Sequence, residues 1–261
     1  NLATVIMQML ALGLGNIADF PFVQPPDNRN INDGVRLLHE LDAITENKQG
    51  KTSLKLTEQG RLISRFPIDP RLATMVYSAA KNGCVEQVIA IVSALSIQDP
   101  RERPLEKQQA ADQSHARFKD KTSDFISILN LWRYISEKQK ELSQNQFRKL
   151  CQKEFLSYIR IREWQDIFSQ LKLSLRENQL SWSQADEEDN KHYDAVHRSL
   201  LTGLLSHIGN LDENREYKGA RNSKFYIFPG SGLAKSSPKW LIAAELVETI
   251  RLFARHVAKI D

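Results

Sequence analysis

Cysteine is scarce: the 261 residues contain two, Cys84 and Cys151. Neither has a partner at metal-ligand spacing, so a disulfide framework is excluded and a reducing, cytoplasmic compartment is expected. Long apolar runs are missing as well. No stretch reaches the ~20 residues that a bilayer span needs, so no membrane is expected as a partner. Neither sign of charge is in large excess, since 36 Lys and Arg stand against 32 Asp and Glu for a net charge of +4. An electrostatic partner must therefore be met by a local patch rather than by the whole chain. The first residue is Asn1, followed at once by an apolar run without the basic start of a signal peptide. A piece of a longer protein is expected on that ground.

Catalytic signatures are also lacking. Gly50-Lys51-Thr52 ends like a phosphate-binding loop, but the motif needs a glycine five residues before Gly50, where Thr45 stands. It also needs a helix to follow, and Leu54-Lys55-Leu56 reads as a strand. No Gly-x-Ser-x-Gly elbow occurs. His115 sits among Asp112, Arg117 and Phe118 with no second His or Cys at ligand spacing, and reads as a buried, hydrogen-bonded side chain. No catalytic, cofactor-binding or metal-binding residue is assigned. What remains is enough length for two or three domains with real cores, and a hydrophobic content of 41% with 26% charged residues, ordinary for a folded protein.

Helical periodicity fills the first two thirds. Residues 2–13 are apolar around most of a helix, and Phe20 to Pro26 is an extended connector. A helix from Asn32 to Asp42, a hairpin formed by Ile44 and Leu54 to Leu56, and a helix from Thr57 to Ser64 suggest a winged helix over residues 1–68. Asp69 and Pro70 supply the cap and first residue of a helix to Lys81, stopped at Asn82-Gly83. An almost wholly apolar helix spans Val85 to Leu95, and a proline-bounded break covers Ser96 to Pro104. Further helices are expected over Pro104–Phe118, from Ser123 or Asp124 to Glu137, and over Phe147–Leu173. The apolar stripe of the last comprises Phe155, Ile159, Trp164, Ile167, Phe168 and Leu171. Trp132 and Trp164 are expected in the core. Short loops make this an antiparallel helical bundle over 69–185. The run Asp186-Glu187-Glu188-Asp189 reads as a solvated linker.

After a helix at 192–208 the segments shorten: Glu216–Ala220, Ser223–Phe228, Trp240–Leu246, and Thr249–Ala258 as strand or helix. A five-stranded OB-fold barrel over 186–261 is the economical arrangement. The fold class is thus mainly α with a small β component. The same region is locally basic. From Arg215 to Lys239 there are six Lys or Arg and one Glu, interleaved with Tyr217, Phe225, Tyr226 and Phe228, with Trp240 just beyond. Cations meet phosphates and rings can stack on bases, so this composition suits single-stranded nucleic acid. Lys218, Arg221, Lys224, Lys235 and Lys239 are the candidate phosphate contacts. Ser231, with the amides of Gly230 and Gly232, either holds a phosphate or base edge or forms a tight turn with positive φ. Arg101 and Arg103 flank Glu102 and either touch RNA, pair with another domain of the protein, or form a helix-end salt bridge. Of Phe225 and Tyr226, at most one faces a ligand while its neighbour packs inside.

Three motifs make the chain resemble the C-terminal half of DEAH-box (DEAH/RHA) helicases. The first is Ala94-Leu95-Ser96-Ile97-Gln98-Asp99-Pro100-Arg101-Glu102-Arg103-Pro104, with Ala111-Asp112 and His115 after it. The second is Asp124-Phe125 with Leu129-Asn130-Leu131-Trp132. The third is Gly219-Ala220-Arg221-Asn222 with Phe228-Pro229-Gly230-Ser231-Gly232-Leu233, whose form is similar to the bacterial HrpA-type ATP-dependent RNA helicases. The resemblance implies a winged helix, a ratchet-like bundle and an OB-fold that together wall a single-stranded RNA channel. It also implies RecA-like motor domains elsewhere in the same chain, which hold ATP and Mg; this stretch itself binds no cofactor and hydrolyses no ATP. An activator protein is a further implied partner. Two rivals stay in view: a scaffold that only docks activators, and a winged-helix DNA-binding regulator. The latter is poorly served by a second helix whose cations, Arg36 and His39, face Asp33, Glu40 and Asp42.

Overall fold

A computed structural model describes residues 2–47, 53–180 and 189–260. The hairpin tip with Gly50-Lys51-Thr52 lies outside the described residues, as do Asp186, Glu187 and Glu188 of the acidic run. The first half contains α1 (Leu2–Ala11), α2 (Asn28–Glu40), β1 (Ile44–Asn47), β2 (Ser53–Leu56), α3 (Glu58–Ile63), α4 (Pro70–Asn82), α5 (Val85–Leu95) and α6 (Gln108–Ala116). Then come α7 (Asp124–Glu141), α8 (Gln144–Lys153), α9 (Tyr158–Glu177), α10 (Asp189–Leu201) and five strands: β3 (Ile208–Leu211), β4 (Tyr217–Lys218), β5 (Lys224–Ile227), β6 (Trp240–Glu248) and β7 (Leu252–Ile260). Two compact units emerge, residues 1–85 with 171–203 and residues 86–170 with 204–261. Among the described residues no helix is long and apolar enough to cross a membrane.

In the first unit α1 packs on α2, and α4 on α10. Helix α2 begins four residues before the sequence expectation because Asp27 caps it, its carboxylate accepting the Arg29 N–H at 2.8 Å. The β1–β2 hairpin is antiparallel with Ile44 opposite Leu56, and Thr57 caps α3 by accepting the Gly60 N–H at 2.9 Å. Two helices, a hairpin and a helix therefore run in the expected order. Helix α4 has the expected start at Asp69-Pro70 and ends on Gly83, whose φ of 69° is the left-handed conformation glycine adopts without penalty.

The helices of the second unit depart from expectation at more than one place: the helix expected over Pro104–Phe118 is a 3-10 turn at Leu105–Lys107 followed by α6 from Gln108 to Ala116. The single helix expected over 147–173 is two helices, α8 and α9, separated at Phe155, which sits at φ 57°. Consequently Ile159 is not in an apolar stripe but 78% exposed. Helix α8 starts earlier, at Gln144, because Ser143 and Gln146 form a reciprocal capping box. Trp164 is fully buried with its indole N–H donated to the Ala90 carbonyl at 2.8 Å, and Trp132 is half-buried against Trp164 and Phe168.

The strands close into a barrel in the order β3-β4-β5-β7-β6, with β5 parallel to β7 and the other pairs antiparallel. This is the small five-stranded barrel expected of the basic segment. Its core is Tyr217, Phe225, Leu233, Leu241, Ala243, Ala254 and Val257. The helix expected over 192–208 stops at Leu201, and Ile208 opens β3 instead. Residues 252–260, readable either way in sequence, are strand β7.

Candidate nucleic-acid interface

The loop from Ser96 to Pro104 carries Arg101 and Arg103, and each is paired with a carboxylate. Arg101 grips Asp99 with two parallel hydrogen bonds, Nε–Oδ1 at 3.0 Å and Nη2–Oδ2 at 2.7 Å. Burial would raise the Asp99 pKa, but the Arg101 hydrogen bonds and charge outweigh it and hold the carboxyl below its ordinary range. Arg103 makes the same fork to Asp112, at 2.7 and 2.8 Å, on the surface. The loop also fastens the α8–α9 break. The Glu102 N–H donates to the Phe155 carbonyl, the Ser157 N–H to Pro100, and the Arg160 guanidinium to Asp99. His115 completes this knot. It is 7% exposed, and its Nε2–H donates to the Glu154 and Phe155 carbonyls at 3.0 and 3.1 Å. Among the described residues no three His, Cys, Asp or Glu side chains gather as metal ligands.

The second and third motifs meet at Asp124. This first residue of α7 is 9% exposed. Its Oδ1 accepts the Gly232 N–H at 2.9 Å, and its Oδ2 accepts the Ser231 hydroxyl at 2.6 Å and the Val257 N–H at 3.0 Å. Residue 123 bridges to Ala258, and the Lys259 N–H donates to Thr122. One carboxylate thus ties the head of a helix to a barrel loop and a barrel strand. Gly232 is needed here for closeness rather than for a positive φ: a Cβ would stand 2.1 Å from the Asp120 carbonyl oxygen. The segment does turn tightly, the Ser231 N–H donating to the Phe228 carbonyl at 3.0 Å, but without the expected positive φ, and the Ser231 hydroxyl donates to Asp124.

The remaining candidates lie on the barrel. Lys218 on β4 and Lys224 on β5 are exposed, and each has a carboxylate partner: Asp212 at 2.9 Å and Glu216 at 3.3 Å. The Lys218 hydrogen bond and then the Glu213 N–H lower the Asp212 pKa. The Tyr226 hydroxyl and then Lys224 do the same for Glu216. Arg221 is exposed in a turn where it and Asn222 both adopt left-handed backbone, φ 57° and 59°. Lys235 and Lys239 project from the loop between β5 and β6, exposed, and no ion pair reaches them among the described residues. Phe225 is in the barrel core while Tyr226 faces outward, as strand alternation requires. The structure therefore brings Lys218, Lys224 and Arg221 to one end of the barrel. It puts Lys235 and Lys239 on the next loop, and holds Arg101 and Ser231 within the unit.

Sequence reasoning missed other residues of the outer barrel surface. Arg255 stands over the Phe228 ring at 4.7 Å and Arg251 over Tyr226 at 5.1 Å, with Phe253 between them. Their signal was an i, i+2, i+4 alternation over 251–255, legible only once that segment is known to be a strand.

This arrangement, a helical unit welded to a five-stranded barrel with exposed cations and rings, defines a class. Residues 69–128 match the helicase-associated domain (HA2), ratchet-like, and residues 196–261 match the oligonucleotide/oligosaccharide-binding (OB)-fold. Across its whole length the chain is similar to bacterial HrpA-type helicases. It is 57% identical over 262 residues to the ATP-dependent RNA helicase HrpA of Escherichia coli (strain K12). It is 56% identical over 264 residues to the ATP-dependent RNA helicase HrpA homolog of Haemophilus influenzae. The chain spans 20% of the length of each of these relatives.

Proposed function

We propose that this chain is an accessory module of an ATP-dependent RNA helicase, and that its barrel grips single-stranded RNA by the phosphate backbone. The observation that carries the reading is the match of every part of the chain to HrpA-type helicases, with an OB-fold in the segment that holds the basic loops. ATP, Mg and hydrolysis would belong to RecA-like motor domains of the same protein, and this module would form one wall of the RNA path. The functional division into a winged helix at 1–68, a ratchet-like bundle at 69–185 and an OB-fold at 186–261 belongs to the same proposal. Lys235 and Lys239 are its leading phosphate contacts, with Arg221 as a further one and Lys218 and Lys224 exchanging a carboxylate for a phosphate on binding. Ser231 acts by holding the barrel to the head of α7 through Asp124, and Arg101 by holding the Ser96–Pro104 loop through Asp99.

The rival DNA-reading role for α2 is disfavoured because Arg36 lies 3.8 Å from Asp33 and His39 lies 3.7 Å from Glu46. Fluorescence anisotropy with labelled single-stranded RNA at two salt concentrations tests the proposal. Salt-sensitive binding that exceeds binding to duplex DNA, and that drops in Arg221→Ala/Lys224→Ala, is expected. Absence of binding at low salt, or preference for duplex DNA, would overturn it.

A further inference from the structure

The barrel's outer face holds a second constellation that the lysine candidates do not include. Strand β5 runs parallel to β7 with Tyr226 opposite Phe253 and Ile227 opposite Ala254. Alternation then sends Phe225 and Ala254 into the core and turns Tyr226, Phe228, Phe253 and Arg255 outward, and a break in register at His256, φ 51°, brings Val257 inward as well. Three aromatic rings share this face: Phe253 lies 6.4 Å from Tyr226 and 6.1 Å from Phe228, the latter edge-to-face. Two guanidinium groups sit on them, Arg251 over Tyr226 and Arg255 over Phe228. Phe228 is 37% exposed, and Ile250 in the turn beside Arg251 is fully exposed. A face that served only to close the core would not spend three rings outside it. Only one carboxylate pairs with these arginines among the described residues, Glu245 at 3.9 Å from Arg255. Lys218 and Lys224, by contrast, each make closer contact with an acidic side chain.

We infer that the outer face of β5 and β7, formed by Tyr226, Phe228, Phe253, Arg251 and Arg255, is a base-stacking platform for single-stranded RNA. The inference rests on the RNA reading above and deepens it: the lysine loops hold phosphates, and this face holds bases. Rings and guanidinium planes both stack on nucleobases without regard to sequence, and the arginine charge answers the adjoining phosphates. Such a face favours unpaired over duplex strands, because paired bases keep their faces covered.

The test compares a short oligouridylate with an abasic ribose-phosphate oligomer of the same length, on the wild-type chain and on Phe228→Leu/Phe253→Leu. Leucine keeps apolar bulk and removes the π face. The platform predicts that the wild type binds the base-bearing oligomer about ten-fold or more tightly than the abasic one, and that the leucine variant closes this gap. Lys235→Ala/Lys239→Ala should weaken both oligomers and leave their ratio unchanged. Equal binding of the two oligomers by the wild type overturns the platform while the phosphate reading stands, and leaves the face to a protein partner or to solvent. A gap that persists in the leucine variant, with the barrel folded by circular dichroism, moves base contact elsewhere and also overturns it. Binding of neither oligomer at low salt removes the RNA reading and the platform together.

Discussion

At the scale of single residues, the motifs that mark the chain do structural work. Asp124 receives two backbone N–H groups and a hydroxyl. Truncating it strands buried donors, each costing about 1–3 kcal/mol. Asp124→Ala should lower stability by about 3 kcal/mol, read as a fall in the urea midpoint at unchanged slope. Gly232→Ala should be comparably damaging, because the new methyl meets a backbone carbonyl that cannot swing away. His115 gives the molecule a pH dependence. Burial first, and the charge of Arg101 with it, pull its pKa below the ordinary 6.5, against the opposing pull of the two carbonyls. The unfolded chain therefore takes up the proton more readily than the folded one. Stability is complete above pH 6.5 and declines as pH falls below it, toward the depressed folded value. In His115→Gln, whose amide can still donate to the carbonyls, this part of the acid loss should shrink in thermal melts between pH 7 and 5.

At the scale of elements, the best-read helices are those whose ends carry their own chemistry. Asp69, Pro70 and Gly83 punctuate α4, and its expected span differs from the observed one by a single residue. The split at Phe155 was not legible because what breaks the helix is distant: the Ser96–Pro104 loop and His115 take the Glu154 and Phe155 carbonyls. Strand β3 was hidden for a related reason. Four residues, one of them glycine, carry little periodicity, and only pairing with β4 and β6 makes them a strand. The end of α9 departs from local preference. The Leu180 N–H reaches the Leu175 carbonyl and the Gln179 N–H reaches Arg176, a Schellman pattern with exposed Gln179 at φ 54° in the place glycine favours. Gln179→Gly should therefore stabilise the chain by roughly 0.5–1 kcal/mol, a rise of about 1–4 °C in melting temperature.

At the scale of the whole molecule, family resemblance was legible in the sequence because three motifs occur together, whereas the candidate site was only half legible. The lysines announced themselves by composition. Their carboxylate partners and the ring–arginine face depend on strand register, which composition does not carry. If the barrel holds phosphates, the logarithm of affinity should fall linearly with the logarithm of salt, by about 0.7 per phosphate engaged. Lys235→Ala/Lys239→Ala should flatten that slope by about 1.4 if both lysines bind, which a salt titration by anisotropy measures directly. The weld at Asp124 also bears on how the chain can be divided. The OB-fold match begins at residue 196, leaving behind the carboxylate that quenches two barrel amides and the Thr122–Ser123 segment that pairs with β7. A gene fragment cut at that boundary would encode a barrel missing part of its own wiring. It should be recovered in inclusion bodies, and co-expression of residues 86–170 should bring it into the soluble fraction.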